Sequence, residues 1–299
     1  MKNDTSIELH LPTPVEKMSF RGRDYFLKRD ELINEDFSGN KARKFHSILK
    51  KELPHIKRVI SYGSNQSNAM YSLSVLAKAR GWEFIYHTDH IPDLLRRTPV
   101  GNYAAALRNG TQFITGKRMD EIELDDETLF IEEGGRELFA LEGVRELAME
   151  IERWYSEENL DELDIFLPSG TGTTALFLQK SLIEAGSAIR VYTTPCVGDR
   201  DYLLEQFRML EEDRSLYPTI VDSARKYHFG KLYREFYEIW IELRDSCGVE
   251  FDLLYDPKGW LVLTQYEREM AKNILYIHQG GIKGNESMLP RYERKFARR

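Results

Sequence analysis

Hydrophobic and polar positions along this chain follow two alternating periods. Short apolar runs, rich in β-branched and aromatic residues, are each followed by a longer stretch with apolar positions three and four apart. RVISYG (58–63) reads as a buried strand and SNAMYSLSVLAKARG (67–81) as the helix behind it, closed by Gly81. EFIYHTD (83–89) is a second strand, with a helical stretch around 100–108 after it, and TQFITG (111–116) is a third. DETLFIEEGG (126–135) reads as a fourth strand, and ALEGVRELAMEIERWY (140–155) has helical periodicity. DIFLPSG (164–170), TALFLQKSLIEAG (174–186) and AIRVYTT (188–194) then repeat strand, helix, strand. This alternation predicts an α/β fold with mostly parallel sheets and helices on both faces. One block covers roughly 55–145, a second begins near 150, and the first fifty residues fit either. In open sheets of this kind ligands lie beyond the carboxyl ends of strands. Two polar loops, 61–68 and 169–174, stand at such ends.

Composition narrows the setting. The 299 residues are 41% hydrophobic and 30% charged, which suits an ordinary globular chain with a full core. Net charge is -7, and no basic block is long enough for a nucleic-acid footprint, the terminal KFARR being the nearest case. Nucleic acid is therefore not an expected partner. Cys196 and Cys247 have neither a CxxC neighbour nor a His-rich surround, so no metal is expected, and two thiols fit a reducing compartment. No window approaches the length of a membrane span, and MKNDTSIELHLPTP holds no apolar signal core. A cytoplasmic protein without a membrane partner is the expectation.

Three stretches carry candidate chemistry. In LPSGTGTTALFL two glycines interleave with hydroxyl residues between a strand and a helix. Backbone N–H groups and the helix dipole favour an anion there, and the natural guest is a phosphate. No GK[ST] follows, so a nucleotide triphosphate is not indicated; a tight turn with capping threonines is the plainer alternative. SYGSNQSNAM is a second such junction, where Ser64, Ser67 or Asn68 could cap the helix. The loop nevertheless holds more amide and hydroxyl groups than one cap requires. In SGNKARK, Lys41 sits four residues before Phe45 at the head of an apolar stripe. It is either a solvated lysine lying over Phe45 or a desolvated amine, made nucleophilic by burial and nearby cations. A nucleophilic lysine together with a phosphate cradle in an α/β chain suggests pyridoxal phosphate.

Seven motifs, in order, carry a resemblance: LPTPVE with YFLKRDEL, SGNKARK, SYGSNQSNAM, FIEEGG, SGTGTTA, FDLLYDPKG and YIHQGG. The chain resembles the fold type II pyridoxal-phosphate enzymes, specifically the branch of 1-aminocyclopropane-1-carboxylate deaminase and D-cysteine desulfhydrase. The resemblance implies two open, mostly parallel sheets flanked by helices. It further implies a larger cofactor-binding domain of residues 1–54 and 146–299 and a smaller α/β domain of residues 55–145. By resemblance Lys41 is the lysine that joins the cofactor aldehyde and later moves protons, with Asn40 beside it. Asn68 meets the ring hydroxyl; Lys44 with Gly170, Thr171, Gly172, Thr173 and Thr174 holds the phosphate; and Ser67 meets the substrate carboxylate. Tyr255 stands near the substrate as a second acid–base group or nucleophile activator, and Asp256 falls where the deaminases carry a glutamate facing the pyridine nitrogen and the desulfhydrases a threonine. Tyr255 could equally be a core aromatic, and Asp256 could simply open the Asp-Pro turn of YDPKG.

The chain departs from the family pattern at Ser64, Arg136 and Pro257, and either Tyr227 or Tyr233 could bear the substrate loop's tyrosine. The implied activity is a deaminase or lyase acting on a small amino acid and releasing ammonia and a 2-oxo acid, as in 1-aminocyclopropane-1-carboxylate deaminase. β-Elimination of the D-cysteine desulfhydrase type is the alternative, with an acidic residue at 256 leaning toward the deaminase. A non-catalytic protein that binds pyridoxal phosphate or another phosphate ligand is the alternative of a different class. A homodimer is expected by resemblance alone.

Overall fold

The computed structural model describes residues 7–116, 122 and 124–297. Arg298 and Arg299 of the KFARR tail and the opening MKNDTS thus lie outside the described residues. The strands are β1 (Val15–Phe20), β2 (Arg23–Arg29), β3 (Arg58–Tyr62), β4 (Glu83–Thr88), β5 (Gln112–Thr115), β6 (Thr128–Ile131), β7 (Asp164–Ser169), β8 (Arg190–Pro195), β9 (Thr219–Ile220) and β10 (Ile274–His278). The helices are α1 (Gly39–Lys50), α2 (Asn68–Arg80), α3 (Asp93–Arg97), α4 (Gly101–Arg108), α5 (Ala140–Glu157), α6 (Thr173–Glu184), α7 (Arg200–Arg208), α8 (Arg234–Cys247), α9 (Asp256–Tyr266) and α10 (Asn285–Phe296). They surround a six-stranded sheet ordered β1-β2-β10-β7-β8-β9 and a four-stranded sheet ordered β5-β4-β3-β6. Among the described residues every pairing is parallel except β1 with β2.

The predicted strands and helices between residues 58 and 194 are all present, with shifts of a few residues at their ends. The fourth strand is the clearest difference: it stops at Ile131, because Gly134 and Gly135 adopt φ of +70° and turn the chain into a short 3-10 segment. Gly81 closes α2 in the left-handed conformation, as its position after the last apolar residue implies.

Strands β7 and β10 show why the central strands of the larger sheet are nearly continuous apolar runs, whereas the neighbouring β2, RDYFLKR, keeps charged residues at both ends. Tyr25, Leu27, Phe166, Ile274 and Tyr276 join an aromatic-rich core with Trp240, Phe251 and Trp260. Their alternate neighbours Ile165, Leu167, Leu275 and Ile277 join an aliphatic core with α5 and α6. Successive side chains leave opposite faces of a strand, so both faces are covered and neither shows a polar period. A third core joins α1, through Phe45 and Ile48, to Val59 of β3 and to Met70, Leu73 and Leu76 of α2.

Helix α1 is buried on its polar side as well. Arg43 makes paired bonds to Asp30 (3.0 and 2.8 Å) and to Glu150 of α5 (2.7 and 2.8 Å), and Lys28 reaches Glu150 at 2.7 Å. A guanidinium fork matched by two carboxylates is the geometry in which burial of a charge is best compensated. Arg43 of SGNKARK therefore anchors the helix, and its two lysine neighbours are left for other work.

Candidate active site

The carboxyl ends of β3, β6, β7 and β10 and the first turn of α1 converge on one cleft of about 450 Å³. That size is ordinary for a small-molecule site. Asn40, Lys41, Lys44, Ser67, Asn68, Gly170, Thr171, Gly172, Thr173, Thr174, Tyr255 and Asp256 all line it. Neither Tyr227 nor Tyr233 does: they pack edge to face at 4.9 Å against each other and on Phe236, under the Arg225 guanidinium. Phe229 and Gly230 of the same segment reach the cleft instead, with Phe229 against the Tyr255 ring at 5.1 Å. Aromatic side chains two and four residues away are drawn into the core around Trp240, which leaves the loop tip to face the ligand space.

Lys41 is placed by the chain before it. Gly39 adopts φ of +61°, and a Cβ there would lie 1.8 Å from the backbone oxygen of Gln279. Only glycine allows that approach. It brings the Asn40 N–H to the Gln279 backbone oxygen at 3.1 Å, and the Asn40 amide to Gln279 Oε1 at 2.9 Å. Gln279 Nε2 in turn donates to Pro168 at the end of β7 at 2.6 Å. The first turn of α1 is thus tied to two central strands of the large sheet. Burial lowers the Lys41 amine to about 8, against the opposing pull of the Asp252 carboxylate. Lys44 is held well below the usual lysine range, by burial first and then by Lys41 and Arg136.

Opposite these amines stands the N-terminus of α6. Its cap position is Gly172, which has no side chain to satisfy the first N–H groups. Among the described residues Thr174 Oγ1 is buried without a partner, while Thr171 and Thr173 share a hydroxyl contact of 3.1 Å. Outward N–H groups, an orphaned hydroxyl and two crowded amines, of which Lys44 donates to the Gly134 backbone oxygen at 3.0 Å, make a donor set suited to an acceptor with negative charge. Those residues fit the phosphate of pyridoxal phosphate.

The 61–68 loop behaves differently. Ser67 caps α2, its Oγ accepting from Met70 N at 3.3 Å. Asn65 donates to His90 O at 2.7 Å, and Gln66 binds Val100 O at 3.0 Å and Tyr103 N at 3.3 Å. Ser64, a departure from the family pattern, accepts from Gln66 N at 3.3 Å and so closes the turn. Asn68 Oδ1 accepts from Asn102 at 2.6 Å.

Asp256 Oδ1 accepts from the Tyr276 hydroxyl at 2.7 Å, and its Oδ2 accepts from Asp252 N at 2.9 Å. Burial raises its carboxyl, opposed by His278 and the Tyr276 hydroxyl. Pro257 occupies the first turn of α9, where a missing N–H is harmless. Arg136 is committed to Glu132 (2.8 Å) and Gln206. Burial, reinforced by Asp252, raises the Tyr255 phenol, which keeps it protonated at neutral pH. Among the described residues no group of three or more His, Cys, Asp or Glu is placed to hold a metal, and no helix is long and apolar enough to cross a membrane.

Sequence reasoning passed over Asn102, Asp252 and Gln279. Asp252 and Gln279 lie inside motifs already singled out, FDLLYDPKG and YIHQGG; Asn102 has no signal beyond the Gly101 that precedes it.

No family model matches the chain. A Thermotoga maritima protein named for 1-aminocyclopropane-1-carboxylate deaminase is 25% identical, over 95% of this chain and 97% of its own length. The mitochondrial bifunctional D-cysteine desulfhydrase/1-aminocyclopropane-1-carboxylate deaminase of Arabidopsis thaliana is 23% identical over 92% of this chain and 77% of its own. Among solved structures, a homologue of the deaminase superimposes with a TM-score of 0.77 at 22% identity, covering 97% of this chain and 95% of that one. Cysteine synthase from Entamoeba histolytica superimposes with a TM-score of 0.67 at 10% identity, covering 98% and 90%. The chain is thus similar, over nearly its whole length, to the family of 1-aminocyclopropane-1-carboxylate deaminase and D-cysteine desulfhydrase, and its fold is the one that cysteine synthase also adopts.

Proposed function

We propose that this chain is a pyridoxal-phosphate enzyme that deaminates a small amino acid in the manner of 1-aminocyclopropane-1-carboxylate deaminase, releasing ammonia and a 2-oxo acid. The observation that carries the reading is the pairing, in one cleft, of a Lys41 amine lowered to about 8 with an uncapped helix end and the orphaned Thr174 hydroxyl. When bound, pyridoxal phosphate supplies an aldehyde for amine capture and a ring that accepts negative charge.

The chain's own residues do the rest. Lys41 Nζ gives up its proton near pH 8 and is therefore available both to attack an aldehyde and to carry a proton to and from a substrate carbon. Thr174, the N–H groups at the start of α6 and Lys44 hold the phosphate. Ser67, at the mouth of the opposite loop, receives the substrate carboxylate. Tyr255, kept protonated, donates a hydrogen bond or a proton from Oη to the reacting group. Asp256, although engaged by Tyr276 and Asp252 N, keeps lone pairs for the ring nitrogen.

Borohydride reduction of the cofactor-loaded protein followed by peptide mapping tests the covalent assignment: the label belongs on Lys41, and a label elsewhere overturns it. Assay of 2-oxo acid with 1-aminocyclopropane-1-carboxylate and with D-cysteine then separates the two activities that the Arabidopsis relative's name combines. Sulfide appears only if D-cysteine undergoes β-elimination.

A further inference from the structure

The Asn68 amide has an orientation that can be deduced from a single carbonyl. Asn102, on the first turn of α4, is fully buried, and its Nδ2 lies 2.9 Å from the backbone oxygen of Gln66. A backbone carbonyl only accepts, so the nitrogen end of Asn102 must face it. The same Nδ2 lies 2.6 Å from the Asn68 side chain, and a donor requires the oxygen end of Asn68 there. Asn68 Nδ2, on a residue that itself lines the cleft, is thereby turned the other way, toward Gly281. It passes so close to Gly281 that a Cβ on that residue would lie 2.5 Å away. Beyond Gly281 is Asp252 Oδ2, buried and without a hydrogen-bond partner among the described residues.

We propose that Asn102 is a positioning residue that locks the donor end of the Asn68 amide toward the ligand space, so that Asn68 stabilises an anionic oxygen there. The proposal rests on the pyridoxal-phosphate reading, in which that oxygen is the ring hydroxyl. The carboxyl, amino and guanidinium groups bordering the cleft are Lys41 and Lys44 from α1, Glu133 after β6, Asp252 before α9, Asp256 at its start and Arg291 from α10, while the neutral Asn102 of α4 lies behind Asn68. A hydrogen bond to the charged form of a hydroxyl lowers its pKa. With the donor end presented, the bound hydroxyl ionises at lower pH.

The test is a pH titration of the absorption of protein loaded with pyridoxal phosphate, comparing wild type with Asn102→Asp. An aspartate at this position has no amide to donate and repels Asn68 Oδ1, so the Asn68 amide turns over and presents an acceptor to the ligand. The midpoint for ionisation of the bound ring hydroxyl is expected to rise by about one unit, a tenfold change in that equilibrium, with Lys41 still labelled by borohydride. An unchanged midpoint in folded, loaded Asn102→Asp overturns the proposal. Should that variant not fold, the wild type decides. The Asn68 side-chain amide signal, assigned by its loss in Asn68→Ser, shifts downfield when pyridoxal phosphate is added if the proposal holds, and stays in place if it does not. Labelling of a lysine other than Lys41 counts against the parent reading, not against this one.

Discussion

Two strand-to-helix junctions face each other across the cleft, and they use similar residues for opposite ends. At the end of β3, the amides and hydroxyls of Ser64, Asn65, Gln66 and Ser67 are largely consumed by the protein: a cap on α2, a turn, a bond from Asn65 to His90 O after β4, and a clamp by Gln66 on the start of α4. At the end of β7, the cap position of α6 is a glycine, and Thr174 Oγ1 has no partner among the described residues. Both loops look equally polar as strings of letters. What distinguishes a binding loop from a structural one is how many of its donors remain uncommitted after folding, because a buried donor without a partner carries a cost that a ligand can relieve.

The largest expected effect lies between the two junctions. Lys41→Ala removes the only amine assigned to aldehyde capture, so borohydride-stable attachment and turnover should both vanish, while noncovalent phosphate-loop binding persists. Ultrafiltration with absorbance reading measures the two separately. Next is pH. With an amine near 8 rather than the usual lysine value of 10.5, the observed rate of cofactor attachment should fall about tenfold per pH unit below 8 and level off above it. The sign follows from the free amine being the attacking form. An attachment rate that keeps rising through pH 10 would show that Lys41 is not desolvated.

The two junctions are then set against each other by a matched pair of substitutions. Thr174→Val removes a hydroxyl that has no partner among the described residues, so thermal unfolding should be unchanged or slightly improved, while affinity for pyridoxal phosphate drops about tenfold, or about 1.4 kcal/mol. Gln66→Ala should do the reverse. It leaves Tyr103 N without its acceptor, takes one of two donors from Val100 O, and lowers stability by about 1–3 kcal/mol in denaturant titration, with a smaller change in cofactor affinity. If both variants lose affinity and neither loses stability, the contrast between the loops is wrong. The smallest effect is that of Ser67→Ala, which removes the α2 cap and costs about 1 kcal/mol. A further rise in the KM for amino acid, beyond what that loss explains, is the mark of its proposed contact with the substrate carboxylate.

The alternation of strands and helices from residue 58 to 194 was legible because each element carries its own period. The strands of the N-terminal hairpin and the last strand were not. β10 is five residues long, is buried on every side, and lies between β2 and β7, neighbours that are more than one hundred residues away along the chain. Nothing local announces such a partner. The twelve candidate site residues came from short motifs and all reach the cleft, yet the motifs did not distribute the roles within them. Arg43 and Lys44 are adjacent in SGNKARK, and one is spent on Asp30 and Glu150 while the other borders the site. The tyrosines at 227 and 233 face inward, which a helix or strand period could have suggested, but that segment has neither.

The sequence by itself determined the α/β alternation, the glycine-rich turn before α6, and the presence of a lysine out of keeping with its apolar stripe. Only the tertiary structure decided which polar groups are left free. A hydrogen bond between Asn68 and Asn102, or a glycine at 39 allowing Gln279 within reach of Asn40, depends on chain segments brought together by burial of three apolar cores. Donors and acceptors are used up in pairs, and the pairs are made across the fold rather than along the chain.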